Sequence, residues 1–163
     1  MTSRKFTIRD MRLEDAERIA AMIEGLADHI APGVTPKTTA AEIVAYGPFG
    51  AGHFRALVGE TEGEIQGLCL YTTLFSGWRG RPGLHILDLF VEESARGTRL
   101  GKRLLVAAIR RSREQGCTFV RLEVGRENSA ARAFYARLGF APHDGDLTLF
   151  LEEPETLALA EAS

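Results

Sequence analysis

The sequence has little of what marks secreted, membrane-bound and metal-binding proteins. It contains 2 cysteines and 4 histidines, and no CxxC pair or His/Cys cluster suggests a metal site. No apolar run is long enough to span a bilayer, and the amino-terminal segment lacks the apolar stretch of a signal peptide. We therefore expect a cytoplasmic protein without a metal, in which Cys69 and Cys117 are reduced core thiols.

An excess of charge of one sign is also absent. A formal net charge of -2 argues against broad, charge-driven binding to nucleic acid. Apolar residues make up 45% of the chain and charged residues 26%, which is typical of a soluble globular protein. The length of 163 residues suits one domain. We predict a single domain over 1–163, with an ordered core over about 5–152 and a short carboxy-terminal tail.

The hydrophobic pattern predicts alternating strands and helices. The predicted strands are Phe6–Arg9, His53–Val58, Ile65–Leu74, His85–Val91, Thr118–Val124 and Leu147–Leu151. The predicted helices begin at Leu13, at the capped Thr38, at the Arg96–Gly101 turn and at Asn128. This order predicts an α/β fold with a central mixed, mostly antiparallel sheet flanked by helices. One parallel, right-handed crossover should join His85–Val91 to Thr118–Val124 through the long helix.

The turn between the apolar strand His85–Val91 and the long helix predicts an anion site. A helix start presents unpaired amides and the positive end of the helix dipole, and glycines allow close approach of a phosphate. A P-loop would need glycine where Arg96 stands and Ser or Thr where Arg103 stands. A dinucleotide fingerprint would need three spaced glycines, and only Gly97 and Gly101 are present. The pattern therefore favours a phosphate or pyrophosphate cradle of another class.

This turn resembles the acyl-CoA pyrophosphate loop of the GNAT N-acetyltransferase superfamily. It reads Leu89-Phe-Val followed by Arg96-Gly-Thr-Arg-Leu-Gly-Lys, and a second signature of the superfamily follows from Asn128 to Phe140. The resemblance implies the GNAT-like acyl-CoA N-acyltransferase fold, acetyl-CoA as co-substrate, and direct attack of an amine in a ternary complex. It assigns acetyl-CoA binding to Leu89, Phe90, Val91, Arg96, Gly97, Thr98, Arg99, Leu100, Gly101, Lys102 and Asn128.

Other motifs resemble those of the diamine (spermidine/spermine) and thialysine acetyltransferase branch. The most specific of these is the Trp78-Arg-Gly-Arg-Pro-Gly run. The chain departs from the branch at Leu87, where relatives carry glutamate, and at Gly25, where they tend to carry an acid. It also has Arg99 in place of the central glycine of the loop. The resemblance implies a homodimer that acetylates a small primary amine, either diamine-like or an amino acid.

Three side chains are the candidate catalytic residues. By resemblance, Tyr135 is the general acid for the leaving CoA thiolate, and packing of its helix onto the sheet is the less favoured alternative. Asp88 and Glu123 are the candidate acids on the amine side, and a structural role is as well supported for each. His85 is interpreted as a satisfied core histidine. Trp78 and Tyr71 either line an acceptor pocket or anchor the core and a loop.

Two alternative functions remain open at this stage. One keeps the chemistry and changes the acceptor to a peptide or antibiotic amine, which the missing acid at Leu87 favours. The other is a non-catalytic acyl-CoA-binding regulatory module, supported only by Arg99, and the presence of Tyr135 argues against it.

Overall fold

A computed structural model describes residues 5–143, 145 and 148–162, which divide into two compact units. The first unit comprises Met1–Gly125 and the second Arg126–Ser163, and each is described by itself. The first unit contains strands β1 (Thr7–Asp10), β2 (Arg55–Thr61), β3 (Glu64–Ser76), β4 (Arg81–Val91) and β5 (Val120–Leu122). Its helices are α1 (Ala16–Ile30), α2 (Ala40–Tyr46) and α3 (Leu100–Glu114). The second unit contains α4 (Ser129–Arg137) and α5 (Glu155–Glu161).

The five strands form one sheet in the order β1-β2-β3-β4-β5. The three pairs from β1 to β4 are antiparallel, and β5 runs parallel to β4 because α3 carries the chain back between them. The predicted mixed, mostly antiparallel α/β sheet is therefore confirmed. In the part of the chain that the structure describes, no helix is both long and apolar enough to cross a membrane.

Helices α1 and α2 cover one face of the sheet, and α3 covers the other. Ile19 and Met22 of α1 are buried in one cluster with Leu68 and Leu70 of β3 and Phe90 of β4. We call this side of the sheet the front face. Gly67, the residue before Leu68, faces the opposite side of the sheet, because side chains alternate along a strand. We call that side the back face.

The start of α3 lies very close to the back of the sheet. A Cβ atom at Gly67 of β3 would lie only 2.8 Å from Cδ2 of Leu100 and 2.9 Å from Cδ1 of Leu104. Both leucines are almost completely buried, so neither can move away. Glycine at this position therefore lets the helix start sit against β3, beside the end of β4.

Strand β4 contains a β-bulge at Leu87. Leu70 of β3 pairs with Asp88, but the next residue, Tyr71, pairs with Ile86. Leu87 therefore has no partner on β3, and the alternation of side chains shifts by one residue. As a result, His85 and Asp88 both face the front, although residues three apart on a regular strand face opposite sides.

The structure corrects the predicted carboxy-terminal elements. Leu147 lies outside the described residues, and 148–151 do not form the predicted strand. A strand needs a neighbour to satisfy its backbone groups, which the sequence pattern alone does not guarantee. The predicted tail after about 152 instead contains α5, which begins after Pro154 with Glu155 in its first turn, a favourable helix start.

Smaller differences concern the β3–β4 hairpin and β5. The predicted connection between Leu74 and His85 shortens to 77–80, because pairing of Ser76 with Arg81 extends both strands. Trp78 is fully exposed (102%) at this turn, so it anchors neither core nor loop, whereas Tyr71 is buried (3%) on the back face. Strand β5 keeps only three residues of the predicted Thr118–Val124.

Candidate active site

The loop between β4 and α3 offers a group of backbone amides without acceptors. The first helical bond of α3 runs from the amide of Arg103 to the carbonyl of Arg99, at 3.0 Å. Within the part of the chain that the structure describes, no acceptor faces the amides of Gly97, Arg99, Leu100, Gly101 and Lys102. Such a ring of free amides at a helix start is a ready anion site.

Exposed cationic side chains surround these amides. Arg96, Arg99 and Lys102 are all exposed. The Nε of Arg96 donates to the carbonyl oxygen of Val91 at 3.2 Å, which ties the loop to the end of β4. Free amides, the helix dipole and three cations together fit a diphosphate of the kind that CoA carries.

Arg99 has a left-handed backbone. Its φ is 67° and its ψ is 11°, at the residue that precedes α3. A side chain in this region costs about 1 kcal/mol relative to glycine. The chain therefore keeps a guanidinium at the cradle where the resembled loop has glycine, and a guanidinium pairs well with phosphate.

The edge of β4 next to the cradle has backbone groups that no neighbouring strand pairs with in the part of the chain that the structure describes. Glu92 donates its amide to Gln66 of β3 at 2.9 Å, so by alternation Leu89 and Val91 direct their amides and carbonyls away from β3. Pairing with β5 ends at Ile86 and Leu122, as far as the structure describes the chain. An extended ligand that contains amides can add to such an edge as another strand would. This edge fits the pantetheine role that the resemblance assigns to Leu89 and Val91.

Asp88 is half-buried on the front face, directly before Leu89 of this edge. Burial raises the pKa of Asp88 above its usual range. No hydrogen-bond or ion-pair partner for its carboxylate exists among the described residues. An unpaired, half-buried acid is unusual in a purely structural position, and it suits contact with a cationic substrate.

Glu123 lies just beyond β5 and joins two neighbouring side chains. Its Oε2 lies 2.7 Å from Nε2 of His85, and its Oε1 accepts from Nε of Arg121 at 3.0 Å. Desolvation works against ionisation, but the hydrogen bonds from His85 and Arg121 outweigh it and lower the pKa of Glu123. Glu123 is therefore an ionised carboxylate at neutral pH.

Asn128 and Tyr135 lie in the second unit. The Oδ1 of Asn128 accepts from the amide of Ala131 at 3.0 Å, so Asn128 caps α4 as one interpretation of the sequence expected. The Tyr135 ring packs edge-on against Phe134 and Phe140, with ring centroids 5.1 and 5.5 Å away. Acetyl-CoA binding by Asn128 and acid catalysis by Tyr135 stay predictions.

Sequence reasoning missed the pairing of His85 with Glu123. The expected core histidine is half-buried, with 22% of its side chain exposed, and it bonds to an acid from the next strand. The signal was available in part, because a parallel register that pairs His85 with Arg121 places Glu123 within reach. That register, however, emerges only from the fold.

A sequence profile of the Acetyltransferase (GNAT) family matches residues 17–140. The match spans more than half of the chain, so the protein belongs to this family. The predicted membership of the GNAT superfamily is therefore confirmed.

Two curated relatives illustrate the range of acceptors. A mycothiol acetyltransferase of Sanguibacter keddieii is 33% identical over 128 residues, which cover 78% of this chain and 40% of the relative. A thialysine N-epsilon-acetyltransferase of Bos taurus is 28% identical over 140 residues, which cover 81% of this chain and 82% of the relative. The chain thus spans less than half of the first relative and most of the second. Because the two names specify different acceptors, the diamine and thialysine branch stays a prediction.

Solved structures confirm the fold. An integron cassette protein from the mobile metagenome of V. cholerae superposes with a TM-score of 0.80 at 17% identity, covering 96% of this chain and 98% of the other. A possible acetyltransferase from Clostridium difficile gives a TM-score of 0.75 at 20% identity, covering 90% and 97%. The sheet and these matches confirm the predicted GNAT-like fold.

Proposed function

We propose that the protein transfers the acetyl group of acetyl-CoA to a primary amine of a small molecule. The observation that carries this proposal is the ring of free amides at the start of α3, beside the free edge of β4. The front-face acids Asp88 and Glu123 lie on or next to the same pair of strands. Together they provide for an anionic co-substrate and for a cationic acceptor.

The backbone and the cationic side chains of the β4–α3 loop bind and orient acetyl-CoA. The cradle around Gly97 and Gly101 holds the diphosphate, and the groups of Leu89 and Val91 hold the pantetheine arm. Acetyl-CoA, when bound there, supplies an activated acetyl thioester. By the resemblance, Tyr135 donates a proton to the departing thiolate. Asp88 receives the amine as an ammonium ion, and Glu123 is the second acid on the amine side.

Direct attack by the amine is favoured over an acetylated cysteine. The chain has 2 cysteines, Cys69 and Cys117, and both are buried free thiols. Burial and the nearby charge of Asp88 raise the pKa of Cys69 to about 12, and burial raises the pKa of Cys117. A thiol that resists ionisation is a poor nucleophile, so both substrates must be bound together.

The acceptor is expected to be cationic. A cavity of about 360 Å³ beside α1 is lined by the carboxylates Glu17 and Glu24, with Thr35 and Thr39 opposite. Helix α1 packs on β4, because a Cβ at Gly25 would lie 3.3 Å from Cζ of Phe90. The acids that line this cavity suit a positive charge of a diamine or amino acid.

The remaining proposals follow from the resemblance. We infer a cytoplasmic homodimer in which 1–163 act as one domain, with neither nucleic acid nor membrane as partner. Sedimentation equilibrium tests the dimer, and a monomer at micromolar concentration would contradict it.

The test is acetyl-CoA turnover against a panel of amines, followed by release of free thiol. The panel contains putrescine, spermidine, thialysine, amino acids, an aminoglycoside and a peptide amino terminus. We expect saturable turnover with diamines or amino acids. Turnover only with the peptide or the aminoglycoside would favour the alternative acceptors. Tight binding of acetyl-CoA with no turnover on any amine would favour a regulatory module.

Two variants locate the co-substrate site. Arg96→Ala removes a cradle cation and the bond to Val91, so the KM for acetyl-CoA should rise by roughly tenfold. Arg110→Ala removes an exposed arginine of α3 that lies far from the first turn of the helix. It is the matched control, and its KM for acetyl-CoA should be unchanged. Equal KM values in the two variants would contradict the cradle assignment.

A further inference from the structure

We propose that His85 is the group that takes the proton from the acceptor amine, and that Glu123 positions it. This inference rests on the proposed function and names the proton acceptor within it. It is carried by the side-chain pair that joins β4 to β5 and by the bulge that places His85 on the same face as Asp88.

The pair is held by the sheet. His85 pairs with Arg121 in the parallel β4–β5 ladder, and Glu123 follows two residues later on the same strand side. The distance of 2.7 Å between Nε2 of His85 and Oε2 of Glu123 is typical of a strong, charge-assisted hydrogen bond. Arg121 holds the other oxygen of Glu123 at 2.8 Å, so the carboxylate has a fixed orientation.

Glu123 also sets the tautomer of His85. An ionised carboxylate only accepts hydrogen bonds, so Nε2 of His85 must carry the proton in this contact. The neutral ring then has its lone pair on Nδ1. No described residue bonds to Nδ1, so this nitrogen is free to accept a proton.

The surroundings suit a base that becomes positively charged for a moment. Glu123 faces the ring from β5, Asp88 shares the front face of β4, and Arg121 is already engaged by Glu123. The opposite residue on β3 is the uncharged Thr72. The Glu123 carboxylate stabilises an imidazolium, as the orienting acid does for the histidine of a hydrolase triad.

The ammonium group of the acceptor gives one proton to Nδ1 of His85 and becomes a neutral amine. Its nitrogen lone pair attacks the thioester carbonyl carbon, a C–N bond forms, and the C–S bond breaks. The thiolate takes a proton from Tyr135, and the tyrosinate regains one from the nitrogen as the amide forms. His85 finally releases its proton to solvent, so one proton leaves per turnover.

The experiment compares two acceptors that differ only in basicity. The probes are the better acceptor of the panel above (putrescine or thialysine) and its analogue that carries at least two fluorine atoms on the carbon β to the reacting nitrogen. The fluorinated amine is largely neutral at neutral pH, so it needs no base. We expect His85→Gln to lower kcat/KM by about 100-fold for the basic amine and by roughly fivefold at most for the fluorinated one.

Glu123→Gln tests positioning. Glu123 acts through His85, so we expect a loss of about tenfold in kcat with an unchanged KM for acetyl-CoA. The double variant should be no slower than His85→Gln alone, because the two residues act as a unit. Additive losses, or equal losses for both amines, would show a structural role and overturn the proposal.

Controls separate this inference from the proposed function. His53→Gln and Glu114→Gln change exposed residues outside the site and should leave both rates unchanged. Native turnover together with an undiminished His85→Gln rate would overturn the role of His85 alone. Absence of native turnover on every amine would overturn the proposed function and this role with it.

Discussion

Leu70 on β3 lies directly opposite Asp88 on β4, although the residue after Leu70 lies opposite Ile86. Leu87 is the extra residue, and it shifts the pairing register of β4 against β3 by one residue. The bulge therefore places Asp88 on the same face as His85, and it does so next to the free edge of β4. A local irregularity of the strand thus assembles the amine side of the candidate site.

Leu87 is the position at which the acceptor preference can be changed. Its side chain is 42% exposed, so a charged residue is tolerated there. Leu87→Glu restores the acid of the resembled branch, and we expect a several-fold lower KM for spermidine with little change for a monoamine. The measurement is KM for both amines at low and high salt. An unchanged spermidine KM would show that the bulge does not face the acceptor.

Arg99→Gly should separate stability from co-substrate affinity. Glycine relieves the left-handed strain, so we expect a gain of about 1 kcal/mol and a Tm higher by about 3 °C. Loss of the guanidinium should weaken acetyl-CoA binding by roughly tenfold. Calorimetry of unfolding and of binding measures both effects. A stabilised variant with native affinity would remove Arg99 from the co-substrate site.

Asp88→Asn should stabilise the protein while it slows the reaction. The pKa of Asp88 is raised in the folded state, so this carboxyl group keeps its proton to a higher pH in the folded protein than in the unfolded chain. Stability is therefore lost as pH increases from the unfolded value, about 3.9, through the folded pKa. At neutral pH we expect a higher Tm and a lower kcat/KM for the variant. A lower Tm at neutral pH would contradict this account.

Asp15 should behave in the opposite way. It is 6% exposed and accepts hydrogen bonds from Nη1 of Arg9 and the amide of Arg12, both at 2.6 Å. Desolvation opposes ionisation, but these bonds outweigh it and lower the pKa of Asp15. The stability it contributes is present above about pH 3.9 and is lost as pH falls through the lower folded pKa.

Asp15→Asn therefore should reduce the free energy of unfolding by about 3 kcal/mol at neutral pH. The difference from the native protein should shrink in acid. Asp28→Asn, at an exposed site on α1, is the matched control and should change little. Chemical denaturation at several pH values checks both variants, and an equal effect of the two would contradict the assignment.

Tyr135→Phe tests the general acid. Without the hydroxyl, the thiolate leaves unprotonated, so we expect kcat to fall by at least about 100-fold while acetyl-CoA affinity stays native. Turnover kinetics and equilibrium binding measure the two quantities. A native kcat would reduce Tyr135 to a packing residue against Phe134 and Phe140.

Much of the fold could be predicted from local patterns. The capping box of α2 was predictable from the residues Thr-Thr-Ala-Ala-Glu. In the structure, the side chain of Thr39 accepts from the backbone amide of Glu42, and the side chain of Glu42 accepts from the backbone amide of Thr39. The helix start after the Arg96–Gly101 turn was predictable too, whereas its role as a diphosphate cradle stays a prediction. The short β5 and the missing last strand depend on partner strands, which no local pattern contains.

The amine side of the site was less predictable for a physical reason. Asp88 and Glu123 were named as candidates, but the bulge at Leu87 and the β4–β5 register decide which face each residue occupies. Period-two alternation predicts opposite faces for His85 and Asp88. Only the pairing of β3 with β4 reveals the shift, so the sequence favoured a core role for His85.

The central claim is tested most directly by the mass of the acceptor after incubation with isotope-labelled acetyl-CoA. The account predicts that a small primary amine gains one labelled acetyl group for each thiol released, and that neither cysteine is labelled. Thiol release without an acetylated amine, or tight acetyl-CoA binding with no product from any amine, would contradict it.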